Sequence, residues 1–132
     1  MQPISTPLAP PAIGPYSQAV VAGGFAFVSG TAGIDPVTGE IPAGIAAQTR
    51  LALANLSAVL TASGASLDTL VKTTIFYRDV ADFPTINEIY AAHMPDPPPA
   101  RSAPGGIDLP RGLLISIEAI AYLPSSDSIS VA

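Results

Sequence analysis

The run from Leu113 to Leu123, Leu-Leu-Ile-Ser-Ile-Glu-Ala-Ile-Ala-Tyr-Leu, limits the possible folds more than any other stretch. Side chains alternate between the two faces of a strand, so Leu113, Ile115, Ile117, Ala119, Ala121 and Leu123 form one continuous apolar face. That face must be covered, and a helical layer is the ordinary cover. The other face mixes Leu114, Ile120 and Tyr122 with Ser116 and Glu118. It is too apolar for water and too polar for a dry core. Such a face implies burial against another subunit, with a few polar groups kept for use.

Two helices can supply the cover. Ile45 to Ser63 carries Leu53, Leu56 and Leu60 at i, i+3, i+7 with Val59 beside them, and Gly64 stands just past its end. Asp82 to His93 places Phe83, Ile86, Ile89 and Tyr90 on one side, and the prolines at 95, 97, 98 and 99 end it. Gln18 to Ala22 and Phe25 to Ser29 flank Gly23-Gly24, a two-residue hairpin signal. Val71 to Arg78 is a third β-type run. Pro104-Gly105-Gly106 weakens any strand after Arg101 or confines it to an edge. Gly30-Thr31-Ala32-Gly33 has no lysine of a phosphate loop and reads as a turn. The expected order is ββαβαββ, an α+β fold with two helices on one face of a mixed sheet.

A chain of 132 residues without a charge-rich break reads as one domain, 1–132. Five prolines make residues 1–12 and the three after them an extended, irregular lead-in, and 124–132 a loose tail. The five Lys and Arg residues are scattered in a chain of net charge −5, so no basic patch for nucleic acid can be assembled. Cysteine is absent, and the lone His93 with dispersed carboxylates shows no metal-ligand spacing. Met1-Gln2-Pro3-Ile4 does not read as the start of a signal peptide, and no run reaches the ~20 apolar residues of a membrane span. A cytoplasmic protein without a metal site is expected.

Pro98-Pro-Ala-Arg101-Ser-Ala-Pro104 holds a guanidinium, whose planar fork matches a carboxylate bidentately. On its own, Arg101 reads first as a surface residue beside a strand. The residues around it resemble a known family. Ile13-Gly-Pro-Tyr16-Ser-Gln18, Val28-Ser29-Gly30, Asp35-Pro-Val-Thr-Gly-Glu40, Val71-Lys-Thr-Thr-Ile-Phe76, Asp82-Phe83 through Asn87, Pro99-Ala-Arg-Ser102 and Ile117-Glu-Ala-Ile-Ala121 resemble the RidA/YjgF family, in order, over about residues 10 to 123. The resemblance implies a chorismate-mutase-like fold, a homotrimer around a central barrel, and ligand sites in the clefts between subunits. It also implies hydrolysis of amino-acid-derived imines and enamines to a 2-keto acid and ammonia, without a cofactor. Arg101 would then hold the substrate carboxylate. Tyr16, Ser29, Gly30, Thr31, Asn87, Ala103 and His93 become candidate site residues.

The chain departs from that pattern where the chemistry matters. The position that carries the water-orienting glutamate in the deaminases is Ser116, an uncharged hydroxyl and a weak base. Glu118 lies one pleat away on the same face, about 7 Å by strand geometry, and is either a substitute or a structural residue. Ala103 and Thr31 stand where cysteine and glutamine are common, and the loop holding His93 is shorter. Tyr16 is a site residue or a subunit contact, and Ser29 a site residue or a turn former. Asn87 has a polar task or faces solvent, and His93 a catalytic role or the cap of a helix C-terminus. Two functions follow: an enzyme acting on a small carboxylate-bearing imine or enamine, by hydrolysis or a recruited reaction, and a non-catalytic trimer that binds keto acids.

Overall fold

The computed structural model describes residues 1–124. Six strands form one sheet: β1 (Gln2–Ile4), β2 (Ala19–Ala22), β3 (Phe25–Ala32), β4 (Leu70–Tyr77), β5 (Ala100–Ser102) and β6 (Ile115–Tyr122). Their spatial order is β1-β2-β3-β6-β4-β5, antiparallel throughout except where β4 meets β5. Two helices, α1 (Ile45–Ala62) and α2 (Phe83–His93), supply the cover that the sequence demands. None of the helices described is long and apolar enough to cross a membrane.

The strand with the strongest pattern sits in the middle, paired with β3 on one side and β4 on the other. Ile115, Ile117, Ala119 and Ala121 are buried and share a core with Leu53, Leu56, Val59 and Leu60 of α1 and Ile86, Ile89 and Tyr90 of α2. The strand begins at Ile115, not Leu113. Pro110–Gly112 forms a 3-10 turn just before it, and the Leu114 N–H goes to the Gln48 side chain at 2.9 Å instead of a neighbouring strand. The opposite face carries exposed Phe25, Phe27, Val71 and Tyr122. Gly23 and Gly24, at φ 59 and 83, make the turn between β2 and β3; both values are left-handed and suit residues without a Cβ.

Two expectations change. The proline-rich lead-in is not irregular throughout, because Gln2–Ile4 pairs with Ala19–Val21 as an edge strand and the order becomes βββαβαββ. The rest of the lead-in is tied by one buried side chain. Gln18 accepts the Thr6 N–H at 2.7 Å and donates to the carbonyls of Thr6 and Pro10 at 3.1 and 2.7 Å. Second, Gly30-Thr31-Ala32 is strand and not turn: a register shift between Val28 and Thr31 absorbs Ser29 and Gly30, after which Thr31 and Ala32 pair with Ile117 and Ser116. Asn55 of α1 holds that end by donating to the carbonyls of Ala32 and Ile34, both at 2.9 Å. The weak, edge-confined strand expected near Arg101 is present as the three-residue edge strand β5, parallel to β4. The tail proposed for 124–132 lies outside the described residues beyond Pro124.

Candidate active site

Register places Arg101. Its strand pairs with β4 so that Arg101 lies opposite Thr73, which is fully buried on the helical side. The side chain therefore passes over α2. Its guanidinium donates to Asn87 Oδ1 at 2.8 Å and lies 5.4 and 5.1 Å from the ring centroids of Phe83 and Tyr90. Tyr90 is in turn fixed by a 2.6 Å bond between its hydroxyl and Thr73 Oγ1, inside the core. Residues 83, 87 and 90 fall on one helical stripe at i, i+4, i+7, so a single face of α2 forms the platform. Arg101 is exposed, yet two rings and an amide orient it. Sequence reasoning named Arg101 and Asn87 but assigned Phe83 and Tyr90 to the core alone. The stripe was visible; the β4–β5 register that sets an arginine over it was not.

A second group gathers at one end of β3 and β6. Tyr16, Ser29, Gly30, Thr31 and Ser116 line a cavity of about 520 Å³ whose remaining wall is mostly apolar, including Ile34, Val37, Val59, Leu109 and Leu113. Backbone ties hold its polar residues. Ser29 donates its hydroxyl to the Ser17 carbonyl at 2.6 Å, and Thr31 donates to the Ser29 carbonyl at 2.8 Å. Ser116 and Gly30 fit face to face: a Cβ at Gly30 would stand 2.8 Å from Ser116 Oγ. Tyr16 is half-exposed at the rim, its hydroxyl 3.4 Å from the Ile13 N–H. Asp35 borders the same cavity. Its carboxylate accepts the N–H groups of Val37 and Thr38 at 2.8 and 3.1 Å, and these two bonds hold its pKa below the ordinary 3.8.

The two groups are far apart within one chain. Between β3 and β5 lie β6 and β4, so three strand spacings, about 14 Å, separate Ser29 from Arg101. The other candidates are also dispersed. Glu118 does not share the cavity of Ser116; it borders a shallower hollow with Phe27, Lys72, Thr74 and Ile120 on the open face of the sheet. Ala103 is half-buried against the core. His93 lies at the end of α2 with Nδ1 2.8 Å from the Ile89 carbonyl, four residues back, a bond that serves the helix terminus. Among the described residues, no three of His, Asp and Glu come together as a metal site.

The family model described as Endoribonuclease L-PSP matches residues 6–123. The chain belongs to the RidA/YjgF family. Within that family it is 49% identical over 120 residues to a RutC family protein of Pyrococcus horikoshii, covering 90% of this chain and 95% of that one. It is 45% identical over 119 residues to the 2-iminobutanoate/2-iminopropanoate deaminase of Mus musculus, covering 89% and 88%. The RidA crystal structure from an Antarctic Psychrobacter superposes with a TM-score of 0.90 at 40% identity, covering 93% of this chain and all of that one. RidA/YjgF membership thus rests on both sequence and fold, and the mixed sheet with its two helices is the architecture of that relative.

Proposed function

We propose that this RidA/YjgF protein, as one domain, acts on small 2-imino or enamine carboxylates in clefts between the subunits of a homotrimer. The observation that carries the reading is Arg101, charged at any physiological pH and already oriented by Asn87, Phe83 and Tyr90. Nothing in the core requires a cation there. The deaminase name of the mouse relative supplies the substrate class. The 14 Å gap supports assembly, since one small ligand cannot touch both Arg101 and Ser29 of the same chain. An exposed aromatic sheet face gives a second copy somewhere to sit.

In the hydrolytic form, Arg101 holds the carboxylate and Tyr16 offers a hydroxyl near the imine. One water adds to the C=N carbon, the C–N bond breaks, and a 2-oxo acid and ammonia leave. Ser116 can hold that water through its hydroxyl but takes its proton poorly, so the expected hydrolysis is slow. That same serine favours the second readings: a recruited reaction of the imine in the same cleft, or a trimer that binds keto acids without turnover.

Release of pyruvate from 2-iminopropanoate generated in situ tests the set. The expected result is acceleration by the native protein and a loss of about 100-fold in Arg101→Ala. Unchanged activity in Arg101→Ala would refute any enzymatic form. An inert native protein that gains hydrolysis in Ser116→Glu would assign the cleft to another reaction. Tight calorimetric binding of keto acids with no turnover in either protein would leave the binding reading.

A further inference from the structure

Arg111 is the one residue other than glycine, among those described, with a left-handed backbone, at φ 60 and ψ 21. An L side chain resists that conformation and glycine accepts it freely, yet the chain has arginine here and glycine at 112. Strain of this kind persists where the surroundings impose it, and they do. Arg78 Nη2 donates to the Leu109 carbonyl at 3.1 Å, and the Arg78 N–H donates to the Leu114 carbonyl at 3.1 Å. The Leu113 N–H closes the turn on Pro110 at 3.2 Å. Arg78 buries its Nε without a partner while making this brace.

The braced segment is a wall of the 520 Å³ cavity. Leu109, Pro110 and Arg111 line it together with Tyr16, Ser29 and Ser116. Arg78 and Arg101 use guanidinium N–H groups on protein oxygens; Arg111 uses none on any described residue. The one carboxylate on the same cavity, Asp35, is occupied by two backbone N–H groups. The cavity therefore has a mostly apolar wall, a carboxylate, Asp35, that is engaged by backbone, and a cation, Arg111, that bonds no described residue. A monocarboxylate of two to four carbons uses neither the volume nor that cation.

We propose that Arg111 is a specificity residue that receives the second carboxylate of a dicarboxylic 2-imino or 2-oxo acid. This rests on the reading above, in which the Arg101 of a neighbouring subunit holds the first carboxylate. The methylenes between the two carboxylates lie against the apolar wall, and Arg111 is the cation on this cavity that the second one can meet. The reaction is unaltered: one water replaces the C=N nitrogen by oxygen, ammonia leaves, and the distal carboxylate is a spectator.

Calorimetric titration with 2-oxoglutarate and 2-oxopentanoate, equal in chain length and different only at the far end, tests the assignment. The native trimer is expected to bind the dicarboxylate about tenfold more tightly. Arg111→Gly, which suits the left-handed backbone and keeps the turn, brings the ratio to about one; Arg111→Asn does the same, and Arg111→Lys retains most of the preference. A preference for 2-oxopentanoate, or one for 2-oxoglutarate that survives Arg111→Gly, would overturn it. Arg101→Ala separates the two layers: if it abolishes binding of both acids while Arg111→Gly changes nothing, only the role of Arg111 falls. If neither acid binds the native protein, the role of Arg111 falls together with the carboxylate-binding reading.

Discussion

The β5 edge and the end of β3 and β6 solve the same problem, fixing a polar group in place, by different means. At the edge, side chains do it: Arg101 is steered by an amide and two aromatic rings, and one ring is anchored by a buried hydroxyl pair. At the other end, the backbone does it: Ser29, Thr31 and Asp35 are each tied to main-chain groups, and Gln18 ties a whole proline-rich segment in the same way. Side-chain bracing suits a charge that must meet a ligand in one orientation. Backbone ties suit a cavity wall, where shape matters and the occupant varies. In the proposed trimer the two halves meet only across a subunit boundary.

The sharpest way to break this division is to mix two inactive variants. Arg101→Ala and Tyr16→Ala chains, unfolded and reassembled together, are expected to regain activity in about a quarter of the clefts, because one intact half comes from each chain. No recovery, with heterotrimers present by mass spectrometry, would show that Arg101 and Tyr16 do not form one cleft across a subunit boundary. Next in size is Gln18→Ala. It leaves several lead-in groups without partners, and thermal unfolding should show a loss of about 2 kcal/mol. The cavity half should suffer while carboxylate binding through Arg101 is altered far less.

Gly30→Ala probes the fit at Ser116. The new methyl would lie 2.8 Å from Ser116 Oγ, so a loss of about 1–2 kcal/mol is expected, relieved in part by adding Ser116→Gly. An additive double variant would mean the two do not touch. The smallest effect concerns Asp35. Its folded pKa is depressed, so its contribution to stability is full above the unfolded value near 3.8 and is lost as pH falls through the lower folded value. Asp35→Asn should flatten the unfolding curve below about pH 4. It should change little at neutral pH, since the amide oxygen can still accept the two N–H groups. A curve as steep as the native one would assign the acid response to other carboxylates.

Much of the fold was legible in local pattern. Period two named β6, period 3.6 named both helices, and a glycine pair named the hairpin, because each signal lies within one element. Strand β1 was missed because three residues with a proline carry no period. The Gly30–Ala32 extension was missed because the register shift at Ser29 hides it. The site shows the same split. The order of motifs and the types of Arg101, Tyr16, Ser29 and Ser116 come directly from the chain. Three matters needed the fold: that Arg101 rides on Phe83 and Tyr90, that His93 turns back to its own helix, and that Arg111 stands strained beside the cavity. Each depends on which strand lies next to which and in what register. Those choices are made by burial summed over the whole sheet, and no short stretch of sequence records that sum.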